Sequence, residues 1–319
     1  MQKKVLVSAV IVNYNGKGVL KTAIESVAKS NNANCELIVV DNNSTDGSVD
    51  FIKENYKSVK IIKNKQNLGY TGINSALPYC NGKYTLFLNN DIKLDPNCIK
   101  ELLNAIEKDK NIAMTAPRLV NYYDKSLKSA GTWVSRAFYA GHMTGKAEKK
   151  EIPYLGVGLI RKDIVDKFGY LFDEDYFIYG EDLDLGLRLR LLGLKTIFVP
   201  EAILHHVHAM TTARGPSHKM TFLLERNLLM TFFKILSFKN ILVLMPYALF
   251  MRIVAMVKDI LALDFNNLLA RLHAILWVIV NFYSVLEKRK KLQKFRREND
   301  KFILNVFSEK HLLEKRVLI

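Results

Sequence analysis

From residue 5 to residue 118 the chain alternates between two hydrophobic periods. Short apolar runs of strand character lie at 5–13, 36–40, 59–62, 84–88 and 112–116, separated by stretches with helical spacing. In 19–28 the apolar positions are Leu20, Ala23, Ile24 and Val27; in 97–107 they are Ile99, Leu102, Leu103 and Ile106. Residues 48–55 and 69–77 supply two further helices. Strands alternating with helices predict an α/β fold: a mostly parallel sheet flanked by helices.

Polar residues fall at the strand ends. Asn13, Tyr14 and Asn15 follow the first run, and Asp41 to Gly47 (Asp-Asn-Asn-Ser-Thr-Asp-Gly) follow the second. Asn67, Leu68, Gly69 and Tyr70 follow the third, and Asn89, Asn90 and Asp91 the fourth. One such cluster is ordinary turn chemistry. Four on successive strands predict a shared edge beyond the strands' carboxyl ends, where ligands bind in open α/β sheets. Asp91 and Asn89 offer oxygens to a hard divalent cation that would draw its other ligands from water and phosphates. The alternative is that Asp91 merely caps the following turn. After the first strand, Asn15-Gly16-Lys17-Gly18 lacks the third glycine of a dinucleotide fingerprint, which disfavours an NAD-type site.

Composition adds an anionic partner. The 319 residues, 49% hydrophobic, suit one large domain or a domain of about 200 residues with an appendage. The net charge is +16, and from residue 221 onward 17 Lys and Arg face 8 Asp and Glu. Such an excess suits a membrane surface, a nucleic acid or phosphorylated substrates. No nucleic-acid recognition motif is present, so that partner is set aside. Cys35, Cys80 and Cys98 show no metal spacing and fit a reducing compartment. The apolar run from Leu6 to Val12 is too short for a convincing signal peptide.

Together the four motifs resemble family 2 glycosyltransferases, in particular the rhamnosyltransferase-like branch, from about residue 5 to about 235. The resemblance implies a GT-A (nucleotide-diphospho-sugar transferase) fold, a nucleotide-sugar donor, a divalent cation (Mg²⁺ or Mn²⁺) and inversion at the anomeric carbon. It implies that Asp41 hydrogen-bonds the nucleotide base, with Tyr14 near it and Asn13 and Asn15 on the donor side. Asn67, Gly69 and Asn74 would line the nucleotide–phosphate side, next to Asn89 and Asn90. Asp91 would bind the metal. Asn89 stands where many relatives of the fold have an acid, leaving the site less negative.

Beyond residue 118 the aromatics Tyr122, Tyr123, Trp133, Phe138 and Tyr139 lack a sustained period and are expected to pack an irregular excursion. Residues 146–151 read as an exposed charged loop, and 154–160 as a strand whose glycines admit a ligand. In the acidic stretch 173–184, a carboxylate could deprotonate an acceptor hydroxyl. The family likeness assigns the base to Asp182 and positioning to Glu181; the alternative is an acidic first turn complementing a helix dipole. Residues 183–191 alternate as a strand would, but an Asp184–Arg188 pair at i,i+4 and the family likeness favour a helix.

A strand at 195–199 precedes His205, His206 and His208, which lack the partners of a tetrahedral zinc site. The likeness assigns metal or diphosphate contact to His205, with His206 as the alternative and a structural histidine also open. Residues 211–219, with Arg214, His218 and Lys219, suit a loop closing on the diphosphate. After residue 220 come apolar helical stretches at 241–251 and 272–286, neither reaching the ~20 residues of a spanning helix, then a basic cluster at 288–297. An interfacial anchor on an anionic membrane surface is expected, against a packing or homodimer role.

The expected protein is an inverting glycosyltransferase with a catalytic domain at 1–220 and a helical, basic region at 221–319. It would sit on the cytoplasmic face of the membrane and use a glycan or lipid-linked acceptor in cell-surface polysaccharide synthesis. The competing expectation is a silent nucleotide- or sugar-binding module on the same fold. A nucleotidyltransferase is disfavoured for want of a glycine-rich phosphate loop after the first strand.

Overall fold

A computed structural model describes residues 5–30, 34–143, 150–207 and 217–308. The first half runs β1 (Val7–Asn13), α1 (Lys17–Lys29), β2 (Cys35–Asp41), α2 (Ser48–Asn55) and β3 (Lys60–Lys63). A 3-10 helix (Gly69–Tyr79), β4 (Tyr84–Asn89), β5 (Ile92–Leu94) and α3 (Cys98–Ile106) follow. Next come β6 (Ile112–Asn121), β7 (Leu127–Ser129), β8 (Thr132–Val134), β9 (Ala140–His142) and β10 (Glu151–Ile152). Then β11 (Gly158–Arg161), α4 (Lys162–Phe168), α5 (Glu181–Leu191) and β12 (Lys195–His206) complete the α/β part. The rest is helical: α6 (His218–Ile235), α7 (Phe238–Leu261), α8 (Phe265–Val280), α9 (Phe282–Gln293) and α10 (Asp300–Leu304).

The main sheet has the order β10-β12-β6-β11-β4-β1-β2-β3. Its long ladders, β1 on β2 and β4, β2 on β3 and β6 on β12, are parallel, while β11 and the short edge strands run antiparallel. Burial on both faces explains the unbroken apolar runs: every residue of β1 is buried. The β1–β2 and β1–β4 registers bring Asn13 level with Asp41 and Val12 level with Asn89. The first, second and fourth polar clusters therefore emerge at one sheet edge.

Several segments differ from the pattern-based expectation. Residues 69–79 form a 3-10 helix rather than an α-helix, ending at Pro78–Cys80. Of 154–160 only the end, from Gly158, is a strand; Gly156 and Val157 before it line the site. The strand expected at 195–199 continues through Pro200 to His206 and takes β5 as a second partner. Glu151, expected in an exposed loop, pairs with Arg190 and Lys195; residues 146–149 lie outside the described residues. Trp133, Phe138 and Tyr139 are buried, whereas Tyr123 is exposed.

The boundary expected at residue 220 falls in the first turn of α6. That helix supplies Leu228, Phe232 and Ile235 to the same core that holds β1 and β4. In the next two helices the usual partition of residues is reversed. Arg252 and Asp259 of α7 and Arg271 of α8 are buried: both arginines pair with Glu225 of α6, and Arg271 also pairs with Asp259. Leu242, Val243, Phe250, Ile253, Leu261, Leu276, Ile279 and Val280 are exposed. Among the described residues one helix, α7, is by length and composition apolar enough to cross a membrane. The shorter span expected from the sequence broke at Arg252, whose charge turns inward.

Candidate active site

The polar strand ends open into a cavity of about 630 Å³. Its wall takes Tyr14 and Asn15 from just beyond β1, Asn42 from just beyond β2, Asn67 and Gly69 from the segment after β3, and Asn89, Asn90 and Asp91 from the end of β4 and the turn after it. Glu181 and Asp182 at the start of α5 close the far side with Gly156, Phe177 and His206.

Hydrogen bonds between amides and carboxylates fix the strand-end loops. Asn13 Nδ2 donates to Asp41 Oδ1 (3.0 Å), and Asn90 Nδ2 donates to Asn13 Oδ1 (2.9 Å). The other Asp41 oxygen accepts from the Ser44 amide, and Asn15 Oδ1 accepts from the Thr45 amide. Asp41 is thus buried at 2% exposure, outside the cavity wall, holding the loop shape. Asn67 Oδ1 accepts from the Gly69 amide. Gly69 has φ +64°, and a Cβ there would lie 2.2 Å from the Phe177 carbonyl oxygen, so only glycine lets the two segments meet.

Asn74 does not reach the cavity. Its amide donates to the Phe172 carbonyl and accepts from the Leu171 and Phe172 amides, so it pins a distant loop. His205 is likewise turned away. Successive residues of β12 point to opposite faces, and His205 bonds Asp95 Oδ1 at 2.8 Å. His206, the alternative, takes the cavity side, with Nδ1 at 3.3 Å from Asp91 Oδ2. Arg214 lies outside the described residues. Of the loop expected to close on the diphosphate, His218 and Lys219 instead begin α6, capped by Ser217, and Lys219 lines the cavity.

Among the described residues no three His, Cys, Asp or Glu side chains gather as a metal site. Asp91 and His206 nonetheless place a carboxylate and an imidazole side by side on the cavity wall. That donor pair fits an Mg²⁺- or Mn²⁺-type ion, which binds through one or two protein groups plus waters and substrate phosphates.

The acidic end is built differently. Burial, and then the neighbouring Asp182 charge, hold the Glu181 carboxyl well above the usual carboxylate range. Burial pushes Asp182 up to about 6. Of the two, Asp182 ionises first, which separates a proton-holding acid from a proton-accepting one. Glu181 Oε2 is buried without a hydrogen-bond partner among the described residues. A Cβ on Gly156 would come within 3.2 Å of Asp182 Oδ2, so the glycine keeps that carboxylate's approach clear.

Sequence reasoning missed the scaffold behind this pair. Phe177, Tyr179 and Gly180, immediately before it, all have positive φ. Two of them are non-glycine, at a cost of about 1–3 kcal/mol each. Asn227 of α6 offsets this by donating to the carbonyls of Tyr176, Ile178 and Tyr179, while Arg226 donates to that of Asp175. Below, Asp184 pairs with Arg188 (2.7 Å) and Lys234 (2.8 Å), with no side-chain exposure for either acid or arginine. Burial acts to raise Asp173, but the Lys234 and Lys288 ammonium groups hold it below its ordinary value. No local sequence signal marks Asn227, which acts from 51 positions away.

The model of glycosyl transferase family 2 matches residues 8–169, just over half the chain and the part that carries the strand-end clusters. The chain belongs to this family, and it is a glycosyltransferase. It is 25% identical over 254 residues to the N-acetylglucosaminyl-diphospho-decaprenol L-rhamnosyltransferase of Mycobacterium tuberculosis, covering 67% of this chain and 82% of the relative. A UDP-Glc:alpha-D-GlcNAc-diphosphoundecaprenol beta-1,3-glucosyltransferase of Escherichia coli, WfaP, is 27% identical over 208 residues, covering 64% and 78%. The fold matches the mannosyltransferase PcManGT of Pyrobaculum calidifontis, solved with GDP-Man and Mn²⁺, at TM-score 0.54 and 15% identity over 92% of this chain and 85% of that one. It also matches S. aureus TarS 1-349 in complex with UDP, at TM-score 0.53 and 14% identity over 72% and 66%. The glycosyltransferase expectation and the GT-A fold thus hold.

Proposed function

We propose that the chain moves a sugar from a nucleotide-diphospho-sugar to a lipid-linked acceptor at an anionic membrane surface, with inversion at the anomeric carbon and Asp182 as general base. The observation that carries the reading is Asp182 itself. Its half-buried carboxyl, raised to about 6, opens into the cavity that the polar strand ends enclose. A pKa near the operating pH is what proton abstraction requires.

In the reaction, Asp182 takes the proton of an acceptor hydroxyl as that oxygen bonds to the anomeric carbon. The bond from that carbon to the donor's phosphate oxygen breaks, and its electron pair leaves on the nucleoside diphosphate. Glu181, retaining its proton, orients the acceptor. Tyr14, Asn15, Asn42 and Asn67 flank the nucleotide side, and Lys219 faces the diphosphate. Asp91 and His206 would hold a divalent cation, which when bound neutralises charge on the diphosphate.

The membrane part rests on two properties of the helical region. Its outward face is apolar over α7 and α8, and a contiguous exposed apolar face marks a contact surface. Four exposed basic residues, Lys290, Lys291, Lys294 and Arg297, follow it, while Lys288, Arg289 and Arg296 of the same stretch are turned into the protein. The lipid-linked acceptor is supported by the named acceptors of the two relatives. Thermal-shift screening of UDP-, GDP- and dTDP-sugars, with and without Mn²⁺ or Mg²⁺, tests the donor half. Stabilisation by one class with release of its nucleoside diphosphate is expected; stabilisation by none contradicts the reading.

A further inference from the structure

A second cavity, about 410 Å³, lies between α6 and α8. Phe222, Leu276, Trp277 and Val280 line it with Asn281, His218 and His273, and the two imidazole rings stand 5.4 Å apart. Leu276 and Val280 are also part of the outward apolar face, at 56% and 73% exposure. The groove therefore opens onto the surface read above as meeting lipid.

The groove adjoins the catalytic cavity through a single helical turn. His218 and Phe222 face the groove, while Ser217, Lys219, Met220 and Leu223 of the same turns line the catalytic cavity. Lys219 Nζ sits 5.0 Å above the ring of Phe177, a cavity residue. Phe222 and Trp277 are tied to the chemistry as well. The Arg226 guanidinium stacks on Phe222 (5.4 Å) and Trp277 (4.9 Å) while donating to the backbone of the acidic loop.

An apolar groove bearing two imidazoles, on a helix whose next residue, Lys219, lines the catalytic cavity, matches one ligand chemistry: a long hydrocarbon chain ending in phosphate. We infer that this groove binds the chain of the lipid-linked acceptor, its phosphate end turned toward Lys219. The inference rests on the lipid-linked reading above. It adds where the lipid lies, and makes the helical region part of the substrate site.

Tryptophan fluorescence tests it directly, because the chain has two tryptophans and Trp133 is buried at 1% exposure. Titration of the full-length protein with farnesyl diphosphate should give a saturable blue shift from Trp277, and inorganic diphosphate should give none. Leu276→Glu should weaken the apparent affinity by roughly tenfold or more, about 1.4 kcal/mol. Leu242→Glu, on the outward face of α7 away from the groove, should leave it unchanged. Both sites are exposed, so folding is retained; Val280→Glu serves if Leu276→Glu is unstable. No shift, a shift with inorganic diphosphate alone, or equal loss in both variants overturns the assignment. The nucleotide-sugar thermal shift separates the two levels. If it is present while Trp277 is silent, the groove fails and the transferase reading stands; if both are silent, the transferase reading fails as well.

Discussion

The two halves of the molecule bury opposite kinds of residue. In the α/β part, apolar strands fill the interior and polar residues gather at the strand ends, where they build the cavity. In α7 and α8 the charged side chains Arg252, Asp259 and Arg271 point inward, the arginines onto Glu225 and Asp259 onto Arg271, and leucine, isoleucine, valine and phenylalanine point outward. Water rewards the first arrangement and penalises the second. On the reading proposed above, the difference assigns aqueous nucleotide chemistry to one half and contact with hydrocarbon to the other, with α6 belonging to both. Asn227 and Lys234 of α6 hold the acidic loop, and Glu225 of the same helix receives the inward charges of α7 and α8.

The sharpest way to isolate the aqueous half is Asp182→Asn, which keeps the shape and removes the proton acceptor. Turnover should fall by ~10²–10⁴-fold, with calorimetric nucleotide-sugar affinity nearly unchanged. Normal turnover would assign the base elsewhere, with Glu181 the next to test.

The inward charges of the other half come next. Glu225→Ala takes the acidic partner of buried Arg252 and one of the two of Arg271, so it should lower unfolding free energy by about 3–5 kcal/mol. Denaturant titration measures this, and a loss under about 1 kcal/mol, typical of exposed pairs, would show those charges to be solvated. Asn227→Ala should cost about 1–3 kcal/mol, because it orphans the clamped carbonyls. It should also cut kcat more than donor affinity; a stability loss with kinetics intact would make the clamp merely structural.

The pH profile follows from Asp182. Its carboxyl is raised from 3.8 to about 6 and must be ionised to accept a proton, so turnover should climb through pH 6 and level off above. Stability runs the other way. A raised carboxyl binds its proton more tightly when folded, so its contribution is complete below the ordinary value and is lost as pH rises through about 6. Activity flat from pH 5 to 8 would contradict the assignment.

The smallest effect on folding belongs to the outward face. Phe250→Glu, at an exposed site, should shift stability by no more than about 0.5 kcal/mol. The same change should clearly weaken co-sedimentation with anionic vesicles. Strong destabilisation would show that this face is covered by protein in solution.

The strand-end clusters were legible because short unbroken apolar runs alternating with stretches of period 3.6 locate strand ends, and parallel strands share one edge. Asp184 and Arg188 identified their helix through an i,i+4 pair that the structure holds at 2.7 Å. His205 against His206 was not legible, since a one-residue shift of register exchanges the two faces. Asn74 lay near the right motif but pins Phe172. The clamp by Asn227 depends on a contact between distant segments. In α7 the sequence showed a charge interrupting an apolar run; only packing shows that the charge faces inward, which leaves the apolar surface continuous.

One experiment addresses the central claim that aqueous donor chemistry and lipid contact meet in this chain. Nucleoside diphosphate release is followed from the stabilising nucleotide sugar, with vesicles carrying a sugar-diphospho-isoprenyl acceptor or with the same sugar free in solution. The account predicts fast release only with the vesicle-borne acceptor, abolished by Asp182→Asn. Equal release with the soluble sugar, or release indifferent to Asp182→Asn, would contradict it.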